Sequence, residues 1–272
     1  MVGRFVWWRH MGRKVTMSNE IIQRSKSNQT IKSLDGEWRL MNAALERLGQ
    51  RIGVSCEALA KQGRLIVALD LTGSRAESLK QARKATAAMF EAIRSIGAVA
   101  VKLAYYRGPS ECRAGSWHDD AERVCRSMLS LSCESGETQI ARILRLALAE
   151  KEKLSGVVFI GDHCEESPEE LMGLAAMLGK RSLPLFIFHE IVDYDSRALE
   201  AKPVFGRMAN LSGGIYVEFR PDSGAVLKEL LSSVAALSAG GVRAVEKLAL
   251  PTTSEARQLR GTLLALPVST SK

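Results

Sequence analysis

Between Gly63 and residue 237 the chain switches repeatedly between short apolar runs and longer stretches with helical periodicity. "LIVALD", "AVAVKLAYY", "GVVFIGD", "LPLFIFHEI" and "GIYVEF" have the length and β-branched or aromatic content of buried strands. Between them, "RAESLKQARKATAAMFEAIRSIG", "DDAERVCRSMLSL", "TQIARILRLALAEKEKL", "PEELMGLAAMLGKRS", residues 195–211 and "GAVLKELLSSVAAL" predict helices. Strands that alternate with helices of this length require crossover connections. The predicted fold is therefore α/β, a doubly wound and mostly parallel central sheet with helices on both faces, Rossmann-like.

The flanks read differently. Residues 1–34 hold Arg4, Arg9, Arg13, Lys14, Arg24, Lys26 and Lys32 against Glu20 alone, most of the net charge of +8. A polar Ser, Asn and Gln-rich stretch of this kind buries too little apolar area to order itself, so a basic disordered arm is expected, offering nucleic acid at most weak attraction. Over residues 35–62, Trp38, Met41, Leu45, Leu48 and Ile52 recur at helical spacing behind a capping Asp35, predicting an amphipathic docking helix. Residues 63–240 form the main domain, and 241–272 a C-terminal tail with a short helix. No apolar run is expected to reach the roughly 20 residues that a membrane-spanning helix needs. The five cysteines are scattered and lack a C-x-x-C pair, which suits a reducing, cytoplasmic setting and argues against structural zinc.

In doubly wound sheets ligands bind beyond the carboxyl ends of the strands, where the strand order reverses. Asp70 ends the first strand in "RLIVALDLTGSR", followed by Thr72 and Ser74. Asp162 ends another in "GVVFIGDHCEES", and "CESGETQIARIL" places Thr138 just before a helix on the same edge. Two carboxylates and three hydroxyls are all hard oxygen donors, which select Mg²⁺, Mn²⁺ or Ca²⁺. Taken singly, Asp70 and Thr138 are also ordinary helix caps and Ser74 an ordinary turn residue. His118, Asp119 and Asp120 read as a helix start. His163 and Cys164 have no partner at helical or hairpin spacing.

Asp70-x-Thr72-x-Ser74, then Gly136-x-Thr138-Gln139-Ile140, then Asp162 after an apolar strand, resemble the metal-ion-dependent adhesion site (MIDAS) of von Willebrand factor type A (VWA) domains. The similarity spans residues 64 to about 240, and "LSGGIYVEF" resembles that family's last strand with its preceding turn. Thr at position 72 departs from the more usual Ser but keeps the hydroxyl. The resemblance implies a bacterial-type intracellular binding module rather than an enzyme. Thr72, Ser74 and Thr138 would contact a Mg²⁺ (or Mn²⁺ or Ca²⁺) ion directly, Asp70 and Asp162 directly or through water. A carboxylate of an unidentified partner protein would fill the open position, with no membrane involved.

A second resemblance competes. "DLTGS" is similar to the phosphorylated-aspartate turn of haloacid-dehalogenase-like phosphotransferases, and "IGDHCEES" to their late magnesium motif. Asp70 would then be a nucleophile, with Asp162 and Glu166 as metal ligands. Against it, "SCESGE" before Thr138 is no strand, and about 75 residues with two more strands follow the magnesium motif.

Overall fold

In the computed structural model, residues 63–73, 76–93, 98–192, 194–220 and 223–265 are described; the expected arm (1–34), docking helix (35–62) and Ser74 lie outside them. Six strands form one sheet: β1 (Gly63–Asp70), β2 (Val99–Arg107), β3 (Glu111–His118), β4 (Gly156–Gly161), β5 (Leu185–Glu190) and β6 (Tyr216–Phe219). Among the described residues seven helices accompany them: α1 (Ala76–Ile93), α2 (Ala121–Leu129), α3 (Ile140–Ala149), α4 (Pro168–Lys180), α5 (Ser196–Ser212), α6 (Gly224–Lys247) and α7 (Ser254–Leu264). The strand order is β3-β2-β1-β4-β5-β6. All neighbours are parallel except β2 with β3. This is the doubly wound α/β architecture, with the order reversing between β1 and β4.

Alternation along the strands divides the core into two layers. Leu65, Val67 and Leu69 of β1 face α1, α2, α6 and α7, where Met89, Met128, Leu230 and Leu259 are fully buried. Ile66 and Ala68 face α3, α4 and α5 with Ile143, Leu178 and Phe205. A strand buried on both faces reads as a continuous apolar run, which is why β1, β4 and β5 are conspicuous in the sequence.

Local chemistry sets the helix boundaries. Ser167 accepts from the Glu170 amide and Pro168 occupies the first turn of α4. Asp195 caps α5, which ends on Gly213 in the left-handed region. Thr253 caps α7, whose Ala256, Leu259 and Leu263 are buried.

Three local expectations are corrected. Residues 111–118 form a strand, so His118 ends β3 and the helix start passes to Asp120, which caps α2. The helix expected to run on to Leu154 stops at Ala149, where Glu150 turns to an extended conformation and pairs with Lys102. The last long helix continues past residue 237 to Lys247, through a kink at Gly240 and Gly241. By length and composition α6 also qualifies as a membrane-crossing candidate, at a mean hydropathy of 1.4; half of that window is buried in the fold.

Candidate functional site

Asp70 and Asp162 sit where the strand order reverses. Leu69 is level with Ile160 across the β1–β4 ladder. The two strand ends are so close that a Cβ built on Gly161 would lie 3.3 Å from that of Asp70. Asp70 is only 2% exposed, and its charge is met by hydrogen bonds. Its Oδ1 accepts from the Thr72 amide at 2.8 Å and the Thr72 hydroxyl at 2.6 Å, and its Oδ2 accepts from the Tyr106 hydroxyl at 2.9 Å. A hydroxyl that donates to a carboxylate keeps its oxygen lone pairs for another acceptor role, including toward a cation. Gly73 lets this turn adopt φ 55°, a conformation that strains other residues.

The third contribution to this edge enters through a loop. Residues 130–139 carry no strand and thread between two turns. The Glu134 amide donates to the Leu71 carbonyl and the Gly108 amide to the Glu134 carbonyl, each at 3.0 Å. Gly136 crosses Gly108 so closely that a Cβ would stand 2.1 Å from the Gly108 carbonyl oxygen. Only glycine permits this approach, and it fixes the path that delivers Thr138, 5% exposed, to the edge.

Thr138 is bound to the loop that follows Asp162. The Thr138 amide donates to Glu165 Oε2 and the Glu165 amide to Thr138 Oγ1, both at 3.0 Å. Glu166 accepts from the Ile140 and Ala141 amides at the start of α3. Burial raises the Glu166 carboxyl above its usual range, against the lowering effect of those amides and of Thr138.

Around Asp162 the backbone is anchored from beneath. The fully buried His189 donates from Nε2 to the Asp162 carbonyl at 2.8 Å, so its Nδ1 faces the Tyr216 hydroxyl, 2.7 Å away, as an acceptor. Burial holds His189 below the usual imidazole range. His163 Nε2 lies 2.7 Å from Asp195 Oδ2. Burial would raise the Asp195 carboxyl, but His163 and the first amides of α5 outweigh it and keep it low. Burial pushes the Cys164 thiol up to about 11, which leaves it protonated and unsuited to nucleophilic chemistry.

Of the five residues expected to gather here, Asp70 and Thr72 are in direct contact, Asp162 directly follows the adjacent strand, and Thr138 is bonded to the Asp162 loop. Sequence reasoning missed Tyr106 and Glu165, and weighed Glu166 only as an enzyme's metal ligand. Tyr106 was accessible only through register, since it stands level with Asp70 on β2. Among the described residues no three His, Cys, Asp or Glu side chains gather as a metal site. The donor set here is of another kind, carboxylates with hydroxyls, and that chemistry fits a hard cation.

No protein-family model and no curated protein matches the chain. Solved structures match it in fold. A variant of the PilB minor pilin from Streptococcus sanguinis superposes with a TM-score of 0.51 at 9% identity, covering 64% of this chain and 60% of its own. A von Willebrand factor type A protein from Catenulispora acidiphila matches at 0.47 and 16%, covering 66% of this chain and 43% of its own. Proximal thread matrix protein 1 from the mussel byssus, solved with a zinc-occupied MIDAS motif, matches at 0.48 and 11%, covering 65% and 46%. At such identities the likeness is one of fold alone.

Proposed function

We propose that the domain is a metal-dependent protein-binding module that catalyses no reaction. Asp70, Thr72, Ser74, Thr138 and Asp162 would hold a divalent cation, Mg²⁺ with Mn²⁺ or Ca²⁺ as substitutes. The cation would supply the positive charge that an incoming carboxylate of a partner protein needs at an otherwise acidic edge. The observation that carries this reading is the adjacency of β1 and β4 at the order reversal, which puts Asp70 and Asp162 side by side with the Thr138 loop bonded to the same edge. Thiols at Cys112, Cys125 and Cys164 suit the reducing interior of a cell, where we place the protein.

The phosphotransfer alternative is disfavoured by topology: residues 130–139, which lead to Thr138, carry no strand, and β5 and β6 with their helices follow the Asp162 loop. Calorimetric titration with Mn²⁺ tests the reading. Binding in the micromolar to millimolar range is expected for the wild type and loss of it for Asp70→Ala. Equal heats in the two proteins would end the proposal.

A further inference from the structure

Helix α3 has no cap of its own. Gln139, at the capping position, makes no side-chain hydrogen bond to the first-turn amides; its Oε1 accepts from the Arg142 side chain instead. Helices leave their first amides without internal partners, and an uncapped start destabilises the helix. Here the cap comes from 25 and 26 residues further along the chain: Glu166 Oε1 accepts from the Ala141 amide at 2.8 Å and Oε2 from the Ile140 amide. One residue earlier, Glu165 and Thr138 exchange amide and side-chain hydrogen bonds in both directions. Four hydrogen bonds therefore close a clasp between the loop before α3 and the loop after β4. Thr138 and Asp162, expected ligands of one cation, come from those two loops.

We infer that Glu166, helped by Glu165, is a positioning residue for the cation site: it caps α3 from the β4–α4 loop and so fixes Thr138 relative to Asp162. The inference rests on the cation reading above and gives Glu166 a role distinct from ligation. Both of its carboxylate oxygens are turned toward backbone amides of α3, and the negative charge complements the positive end of that helix. Residues that orient ligands in this way typically change metal affinity about 10- to 100-fold when removed. Gln139 strengthens the clasp from the other side, since its side-chain amide donates to the Gly108 carbonyl at 3.1 Å and holds the loop against the β2–β3 turn.

The test compares full-length wild type, Glu166→Ala, Glu166→Gln and Asp70→Ala. Mn²⁺ affinity is measured by electron paramagnetic resonance of the free ion, and the number of water molecules on bound Mn²⁺ by proton relaxation. Thermal melts confirm that each protein is folded. Binding is expected to weaken about 10-fold or more in Glu166→Ala and by less in Glu166→Gln, which keeps one acceptor oxygen. The water number should stay at the wild-type value, because no ligand has been taken away. Unchanged affinity in both folded Glu166 variants would overturn the inference. So would one additional bound water in a Glu166 variant, which would make Glu166 a ligand. If Glu166→Ala does not fold, Glu166→Gln alone decides between these outcomes. Failure of the cation reading looks different: wild type and Asp70→Ala would then bind Mn²⁺ equally or not at all.

Discussion

Glu229 offers the sharpest test of how the C-terminal helix is held. From α6 its carboxylate accepts four hydrogen bonds from the start of α7: Oε1 from the Thr252 amide at 3.0 Å and hydroxyl at 2.7 Å, Oε2 from the Thr253 amide at 3.1 Å and hydroxyl at 2.7 Å. Partial burial would raise the carboxyl, but these bonds outweigh it and bring it down to about 2. An unfolded glutamate titrates near 4.3, and each unit of difference corresponds to about 1.4 kcal/mol. With water screening a partly exposed group, the contribution is about 2 kcal/mol at neutral pH. Because the folded value lies below the unfolded one, the stabilisation is complete above about pH 5 and disappears as the pH falls toward 2. Glu229→Gln places an amide NH₂ against one of the threonine pairs. It should accelerate hydrogen exchange of the α7 amides about 30-fold at pH 7 when both proteins are corrected to the same intrinsic rate. Mass spectrometry of peptides spanning residues 254–264 reads this directly. The gap between wild type and variant should narrow steadily between pH 5 and pH 3. A gap that is absent at pH 7, or that keeps its size across that interval, would refute the reasoning.

Further expectations concern the edge of the sheet, with a glycine of helix α4 for comparison. Tyr106→Phe conserves shape and removes one donor to the buried Asp70 carboxylate, so urea denaturation should show a loss of about 1.5–3 kcal/mol with an unchanged m value, and a loss under about 0.5 kcal/mol would contradict the assigned bond. Gly136→Ala forces the loop off the Gly108 carbonyl and should cost about 1–3 kcal/mol with weaker Mn²⁺ binding, whereas Gly173→Ala, in open space on α4, should stabilise by about 0.5–1 kcal/mol in the same assay.

The parts of this fold that were legible in the sequence are those buried on both sides. β1, β4 and β5 are fully or almost fully buried at nearly every position, so burial itself wrote an apolar run. β3 is the opposite case. Its central residues Arg113, Ala114, Gly115 and Ser116 are exposed, and an antiparallel edge strand with no buried face leaves neither a run nor an alternation to detect. The same logic explains the helix ends. "AEKEKL" prolongs the periodicity of α3 in the sequence, but Glu150 leaves the helix to meet Lys102 of β2, a contact made across 48 residues. Asp70, Thr72 and Asp162 were visible because strand-end position follows from local pattern, and Thr138 because it stands just before a helix. Tyr106 and the Glu166 cap were hidden because both act through register and loop path, which a single sequence carries only implicitly.

The central place of β1 also decides how the domain would bear a mechanical load. The strand is paired along all eight residues with β2 and along five of them with β4, and it begins at the end of the sheet opposite Asp70. Tension entering through the segment before Gly63 and resisted by a partner held at the Asp70 end would run along the strand axis. Both ladders would then be sheared at once, with their hydrogen bonds sharing the force instead of parting one after another. Loaded in that direction, β1 could leave the sheet only by breaking both ladders together.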